Sequence, residues 1–305
     1  MFQVNILGCG SATPTYRHQP SCQVVDFRDK LFMIDCGEGA QGQFRKMGLK
    51  FSRLRHIFIS HLHGDHMFGL PGLLSTMALH EVQGTVTIHI FKKGAELLDN
   101  WMRFFNGESP LKIEYDILEP GERRVVYEDQ GLIVRTFPLY HRIPCAGFFF
   151  QEKPKLPHLK GDMVKFLQIP VFQLPSIKQG ADYVKPDGTV VPNSVLTTPA
   201  DPSMSYAYCS DTMFNPRVAS DVEGVDTLYH EATYDSSMAV MAKERGHSTA
   251  AQAAEIASLA HAKRLIIGHF SKRYNKDESI LLDEARAIFP NTILADEGLK
   301  IDLEK

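Results

Sequence analysis

Four potential metal ligands lie within six residues in the segment His61-Leu62-His63-Gly64-Asp65-His66. Imidazole and carboxylate groups bind Zn²⁺ and other first-row divalent ions. His61 and His63 are two residues apart, so in an extended stretch their side chains lie on one face. We expect Gly64 to allow a sharp turn that points Asp65 and His66 toward a second position. One short loop would then contribute ligands to two adjacent ions.

The residues before this segment, Leu54–Ser60, are apolar and β-branched, and they are predicted to form a buried strand. Three further ligand candidates also follow predicted strands. They are His141 after Leu132–Phe137, Asp211 after Tyr206–Cys209, and His269 after Leu265–Ile267. Loops at strand ends on one rim of a sheet are where a functional site converges. Taken singly, each candidate is a weak signal, since a lone histidine is more often a surface or hydrogen-bonded residue and a lone aspartate after a strand is most often a turn residue.

The rest of the chain alternates strands with helices. The other predicted strands are Met1–Leu7, Ser21–Asp26, Lys30–Ile34, Thr85–Ile90, Ile113–Leu118, Arg124–Tyr127, Cys145–Phe150 and Thr227–His230. The predicted helices are Gly37–Met47, Gly72–Leu79, Ser248–His261 and Ser279–Ile288. This alternation indicates an α/β chain with sheets inside and helices outside.

Composition restricts the class of protein. Of the 305 residues, 44% are hydrophobic and 23% are charged, which excludes a disordered chain, a coiled coil and a collagen-like fibre. No apolar run approaches the ~20 residues that span a bilayer, so no membrane association is expected. The N-terminus has no basic, signal-like region, and the five cysteines form no CxxC pair, which favours reduced thiols and a cytoplasmic location. The net charge of −3 argues mildly against a nucleic-acid binder, but a local basic patch is compatible with it.

The segment from about 151 to 203 differs in composition and periodicity from the rest of the chain. It is rich in proline and lysine and shows no sustained helical or strand period. We interpret it as an insertion that projects from a single domain covering residues 1–305. The alternative is an ordinary long surface loop.

The complete ligand set resembles the signature of the metallo-β-lactamase superfamily, His-x-His-x-Asp-His followed by His, Asp and His. This resemblance implies an αββα sandwich with two metal ions at one edge of its two sheets. It places His61, His63 and His141 at one ion. It places Asp65, His66 and His269 at the other, with Asp211 bridging the two. The superfamily includes lactonases, thioesterases, phosphodiesterases and nucleases, so the fold alone does not assign a substrate.

Four further motifs resemble the ribonuclease Z family. Asp35-Cys36-Gly37-Glu38-Gly39-Ala40-Gln41 is similar to its Asp-Cys-Gly-Glu-Gly-Thr-Gln segment, with Ala40 in place of Thr. The other three are His230-Glu231-Ala232-Thr233, Gly246-His247-Ser248 and His269-Phe270-Ser271-Lys272-Arg273-Tyr274. The resemblance covers residues from about 2 to 303, apart from the insertion.

These residues suit phosphodiester cleavage. Two cations can clamp a phosphate and activate a water, and Asp65 can both ligate and accept its proton. His247 is a candidate proton donor to the leaving ribose oxygen, with Glu231 orienting it. Arg273 is a candidate phosphate contact. The structural alternatives are a backbone-held residue at a helix start for His247, a salt bridge or hydrogen-bonded turn for Glu231, and a surface arginine for Arg273.

The family resemblance implies a zinc-dependent endoribonuclease that cleaves the 3′ trailer from precursor tRNA. It implies a 3′-hydroxyl on the tRNA, a 5′-phosphate on the trailer, and two Zn²⁺ per subunit, with Mn²⁺ or other divalent ions possible. It also implies a homodimer in which an arm of one subunit serves the other's active site. The insertion is the counterpart of that arm, and Lys155, Lys160 and Lys178 are its candidate tRNA contacts.

Two departures from the family limit what carries over. The stretch Pro14-Thr15-Tyr16-Arg17-His18-Gln19 lacks the Lys and Asn of the family's Pro-x-Lys-x-Arg-Asn segment, so handling of CCA-bearing ends is not implied. The insertion lacks an evident Gly-Pro tip. The alternative function is a metallo-β-lactamase-fold phosphodiesterase acting on small molecules, with the insertion as a lid. A non-catalytic binding protein is a third class, but such proteins typically lose ligands, and all seven candidates are present.

Overall fold

The structure, a computed structural model, describes residues 2–106 and 111–303. Its strands are β1 (Phe2–Gly8), β2 (Cys22–Phe27), β3 (Lys30–Ile34), β4 (Leu54–Phe58), β5 (Gly84–Phe91), β6 (Leu111–Leu118), β7 (Arg124–Glu128), β8 (Leu132–Leu139), β9 (Cys145–Glu152), β10 (His158–Leu159), β11 (Tyr183–Val184), β12 (Val190–Val191), β13 (Thr197–Thr198), β14 (Ser205–Cys209), β15 (Thr227–Glu231), β16 (Arg264–Gly268), β17 (Thr292–Leu294) and β18 (Lys300–Asp302). Its α-helices are α1 (Ala40–Lys46), α2 (Gly64–Met67), α3 (Leu70–Leu79), α4 (Lys92–Asn106), α5 (Gly161–Phe166), α6 (Leu174–Lys178), α7 (Asn193–Leu196), α8 (Arg217–Asp221), α9 (Ala239–Arg245), α10 (Ala250–Leu259) and α11 (Ser279–Ile288).

The chain divides into two compact units. The larger unit comprises the residues up to 128, residues 133–150 and the residues from 204 onward. The smaller unit comprises Asp129–Leu132 and Gln151–Ser203. We call Gln151–Ser203 the arm.

The larger unit is built on two seven-stranded sheets. The first has the order β18-β1-β2-β3-β4-β5-β6, and the second β17-β16-β15-β14-β9-β8-β7. Strands β3 to β6 are parallel in the first sheet, and β14 to β17 are parallel in the second. Because parallel neighbours end at the same edge, each sheet gathers several loops at the carboxyl ends of its strands.

Aromatic side chains fill the space between the two sheets. Phe58 of the first sheet lies with its ring centroid 5.1 Å from that of Phe148 and 5.6 Å from that of Phe150 on the second. Phe32 also meets Phe150, at 6.1 Å. All four rings are fully buried. This interior fixes the sheets against each other, because aromatic rings bury large apolar areas and pack with defined geometry.

Helices cover the outer faces of the sheets. Side chains of α1, α3 and α4 complete the core of the first sheet, and α10 and α11 pack together along the second. The start of α10 follows from its sequence, since Thr249 and Gln252 form a reciprocal capping box. The predicted α/β alternation, with sheets inside and helices outside, is therefore confirmed.

The smaller unit has a hydrophobic cluster of its own. Ile169, Ile177, Tyr183 and Leu196 are buried in it. The side-chain amide of Asn193 donates to the carbonyl oxygens of Ile177 at 2.6 Å and Ala181 at 2.8 Å. Its helices and strands are two to six residues long, which is too short to produce the sustained period by which sequence patterns are recognised.

Candidate metal centre

All seven predicted ligands follow strand ends in the larger unit. The loop with His61, His63, Asp65 and His66 follows β4, and His141 follows β8. Asp211 follows β14 and His269 follows β16. In the second sheet Cys209 pairs with His230 and Glu231 with Gly268, so these parallel strands end at nearly the same level.

Three histidines and one carboxylate oxygen form a first ligand group. Nδ1 of His63 lies 3.0 Å from Nε2 of His61 and 3.2 Å from Nε2 of His141. Oδ2 of Asp211 lies 3.6 Å from Nε2 of His61 and 3.8 Å from Nε2 of His141. These spacings suit four donors arranged tetrahedrally around one ion at Zn–N and Zn–O distances of about 2 Å.

A second group faces the other oxygen of the same aspartate. Oδ1 of Asp211 lies 3.1 Å from Nε2 of His269 and 3.4 Å from Nε2 of His66. Oδ2 of Asp65 lies 3.5 Å from each of these two nitrogens. Asp211 therefore stands between the two groups, with one oxygen toward each.

The donor atoms fit divalent cations. Nε2 of His66, Nε2 of His269 and Oδ1 of Asp211 are buried and have no hydrogen-bond partner. A buried polar atom without a partner costs free energy, and one cation between these three atoms would satisfy all of them.

The second nitrogen of three ligand histidines, His66, His141 and His269, is held by the protein. Nδ1–H of His66 donates to Asp35 at 2.8 Å, and Nδ1–H of His141 donates to the carbonyl of Gly246 at 2.7 Å. Nδ1–H of His269 donates to the Thr233 hydroxyl at 2.9 Å. Such bonds fix the ring orientation and leave Nε2 free for a metal. Asp35 and Thr233 had no assigned role in the sequence, although both lie inside motifs recognised there.

Burial and charge set the protonation of the ligands. Burial, reinforced by the neighbouring His66, lowers the pKa of His61 well below its usual range. Burial also lowers the pKa of His63 and His141, so these side chains favour the neutral form that binds metals. For Asp211, burial alone would raise the pKa, but the nearby His269 and His66 hold it well below the ordinary value.

Gly64 stands between the two halves of the ligand loop. It begins α2 directly after the extended His63 and is not among the glycines with positive φ, so the change of direction here does not use a backbone conformation that favours glycine. A Cβ at this position would lie 2.2 Å from the ring of Phe68. Phe68 is 65% exposed, so its ring can move, and α2 carries Asp65 and His66 into the second ligand group.

His247 and Glu231 lie beside the ligand groups. Nδ1 of His247 is 3.0 Å from Oε1 of the fully buried Glu231. Burial alone would lower the pKa of His247, but the Glu231 carboxylate outweighs it and raises that pKa to about 9. Glu231 also accepts hydrogen bonds from the backbone N–H groups of Thr212 and Ser248, both at 3.0 Å. It thus connects His247 to the loop that carries Asp211.

An open cavity of about 960 Å³ leads to these groups. Asp65, Asp211, His247 and His269 lie on its wall. Four exposed cations also line it: Arg142, Arg245, Lys272 and Arg273. Only Arg273 was a candidate in the sequence, although Lys272 directly precedes it and Arg142 and Arg245 lie within two residues of His141 and His247. The cavity combines a metal centre with a positive rim, which suits a phosphate-bearing substrate.

The three predicted lysine contacts lie in the arm. Nζ of Lys155 is 3.0 Å from Glu152 and donates to the carbonyl of Pro202 at 3.3 Å. Nζ of Lys160 donates to the carbonyl of Ser194 at 3.2 Å. Lys178 is the last residue of α6 and is partly exposed. Two of the three side chains thus make contacts within the arm.

Comparison with known proteins identifies the family. A family model described as "Anti-Pycsar protein Apyc1" matches residues 2–110. The ribonuclease Z of Bacteroides fragilis is 55% identical to the chain over 302 residues, which is 99% of both proteins. The chain belongs to the ribonuclease Z family. It is accordingly a ribonuclease Z-type endoribonuclease.

Solved structures agree with this assignment. The human short-form tRNase Z is 26% identical, with a TM-score of 0.70 over 99% of each chain. The metallo-β-lactamase fold protein YhfI of Bacillus subtilis is 16% identical, with a TM-score of 0.69 over 99% of this chain and 100% of its own. The predicted metallo-β-lactamase sandwich and the ribonuclease Z resemblance are both confirmed. Within the described ranges, no helix has the length and apolarity needed to cross a membrane.

Proposed function

We propose that this ribonuclease Z family member is a zinc-dependent endoribonuclease that removes the 3′ trailer from precursor tRNA. Cleavage leaves a 3′-hydroxyl on the tRNA and a 5′-phosphate on the trailer. The observation that carries the proposal is the pair of ligand groups that share Asp211 and open into a cavity rimmed by four cations.

The proposed metal site uses the residues named above. His61, His63 and His141 would hold one ion, and Asp65, His66 and His269 would hold the other, with Asp211 serving both. Two zinc ions there would supply Lewis acidity, which polarises a phosphate and eases removal of a proton from water. Mn²⁺ and other divalent ions suit the same nitrogen and oxygen donors.

Protein side chains move the protons. Asp65 accepts the proton of the attacking water, and the N–H of Ala12, which donates to its Oδ2 at 2.7 Å, holds that carboxylate in place. His247 donates a proton to the leaving 3′-oxygen. Because Nδ1 of His247 is engaged by Glu231, Nε2 is the nitrogen available to the substrate. Glu231 is thus a positioning residue for the proton donor.

The cationic rim and the arm bind the RNA. Arg142, Arg245, Lys272 and Arg273 contact phosphates on either side of the cut, Arg273 being the contact expected from the sequence. The arm, an inserted segment within one metallo-β-lactamase-fold domain, binds the tRNA through Lys155, Lys160 and Lys178. Phosphate contacts of this kind read the shape of the RNA helix. The enzyme acts as a cytoplasmic homodimer, as its family resemblance implies.

The test is cleavage of a precursor tRNA carrying a 3′ trailer, run beside a small bis-aryl phosphodiester. We expect one cut directly after the last tRNA nucleotide, lost on chelation and restored by Zn²⁺ or Mn²⁺. Asp65→Ala should abolish this cut and leave tRNA affinity within a few-fold. Asp283→Ala, at an exposed position of α11, is the matched control and should change neither.

Two outcomes would contradict the proposal. Turnover of the small diester with the precursor left intact would favour the alternative function, a phosphodiesterase acting on small molecules. Substrate binding that is insensitive to salt would point the same way, because only a polyanion releases many counterions on binding.

A further inference from the structure

His247 also lines a second cavity. It has a volume of about 530 Å³, and we call it the side pocket. Its wall includes Tyr140, Met213, Phe214 and Val240 together with His247. With Ala239, these four make five apolar or aromatic lining residues, none of which has a role in the proposed cleavage. Asn215, Lys243, Gln252 and His247 form the polar part of the wall.

The walls of the side pocket belong to the loops that carry the catalytic groups. Tyr140 directly precedes His141, and its carbonyl accepts a hydrogen bond from the N–H of Met213 at 2.8 Å. Met213 and Phe214 follow Asp211 by two and three residues. Val240 lies on α9, which ends two residues before His247. The position of the pocket relative to the metal centre is therefore fixed by short, hydrogen-bonded connections.

His247 lines both cavities. In the proposed reaction it protonates the leaving 3′-oxygen, so the nucleotide that bears this oxygen must lie against it. The main cavity is rimmed with cations and suits phosphates, whereas the side pocket offers the rings of Tyr140 and Phe214 beside Met213 and Val240. Two aromatic rings in a pocket lined by the proposed proton donor suit a nucleobase.

We propose that the side pocket binds the base of the last tRNA nucleotide before the cut. This inference rests on the proposed function and adds to it a subsite for one nucleotide. Phe214 contributes stacking area. Because stacking accepts the face of any base, the pocket favours purines over pyrimidines by their larger rings without excluding either.

The test pairs one protein change with one substrate change. Wild type and Phe214→Ala are each given a precursor tRNA with a normal last nucleotide and one with an abasic nucleotide there, and kcat/KM is measured. For wild type we expect the abasic substrate to be worse by roughly 5- to 150-fold, the range for losing one stacked base. Phe214→Ala should lose a similar factor on the normal substrate and little on the abasic one, because the two changes remove the same contact.

Control variants separate this effect from damage to the fold. Phe104→Ala, at an exposed position of α4, should behave as wild type on both substrates. Phe214→Tyr should retain most activity because it keeps an aromatic ring. If Phe214→Ala does not fold, Phe214→Leu, which keeps much of the volume, replaces it in the same comparison.

The proposal falls if Phe214→Ala loses equal factors on both substrates, since the residue would then support His247 and not the base. It also falls if the abasic nucleotide has no effect on wild type. These results differ from failure of the proposed function, in which wild type would not cut the normal precursor at all, and both proposals would fall together.

Discussion

His18 is buried between two carboxylates, and we expect its charge to make stability depend on pH. Its side chain is 1% exposed, with Nε2 2.7 Å from Oε1 of Glu278 and Nδ1 2.7 Å from Oε2 of Glu297. Both nitrogens therefore donate, which requires the protonated ring. Arg17 also pairs with Glu278, and Cys9 donates to Glu297, so each carboxylate has one further partner besides His18.

The magnitude follows from the pKa of His18. Burial alone would lower this pKa, but the hydrogen bonds and charges of Glu278 and Glu297 raise it from 6.5 to about 9. At about 1.4 kcal/mol per pH unit, the protonated ring stabilises the folded chain by about 3 kcal/mol. Because the folded-state pKa is the higher one, this stabilisation is complete below pH 6.5. It is lost as the pH rises through 9.

The assay is urea unfolding of wild type and His18→Gln at pH 6 and at pH 9.5. Wild type should exceed the variant in free energy of unfolding by about 3 kcal/mol more at pH 6 than at pH 9.5. His80→Gln, at an exposed position, is the control and should give the same small difference at both pH values. An equal His18→Gln effect at both pH values would show that the ring is neutral and would refute the reasoning.

Three further predictions concern catalysis, RNA binding and packing. His247→Ala should lower kcat on precursor tRNA by about 10²–10⁴-fold with little change in KM, the range for losing a general acid, and single-turnover kinetics would measure it; unchanged turnover would remove His247 from the mechanism. Lys178→Gln should raise the Kd for tRNA and reduce the salt slope of binding by about one, whereas equal slopes would mean that this side chain contacts no phosphate. Phe58→Ala should lower the free energy of unfolding, measured by denaturation, by about 3–5 kcal/mol. The exposed Phe104→Ala should lower it by less than about 0.5 kcal/mol. A comparable loss in both variants would contradict the packing argument.

The ligand residues were predictable from the sequence because their types are specific and their positions follow strands. His61 to His66 are contiguous, and the run of strand residues before Asp211 and His269 marks a shared sheet edge. The structure brings all seven residues together, while their roles as ligands stay predictions.

Groups that act through the backbone or through long-range contacts were not predictable. The N–H of Ala12 and the carbonyl of Gly246 carry no side-chain signal, yet they contact Asp65 and His141. In the sequence, Arg142 and Arg245 look like ordinary surface residues. The fold brings the loops that carry them together at the main cavity. The helix α4 was also missed, although it has 15 residues: no helix was predicted between the strands Thr85–Ile90 and Ile113–Leu118.

The seven ligand candidates are spread widely along the chain, and this has a consequence for folding. His61 and His269 are 208 residues apart (269 − 61). The second ligand group cannot be complete before β16 has joined the second sheet, so contacts of high sequence separation must form first, and such contacts slow folding. A nascent or truncated chain that ends before His269 should therefore lack the second ligand group. Metal uptake would then report the completion of the fold, late in its assembly.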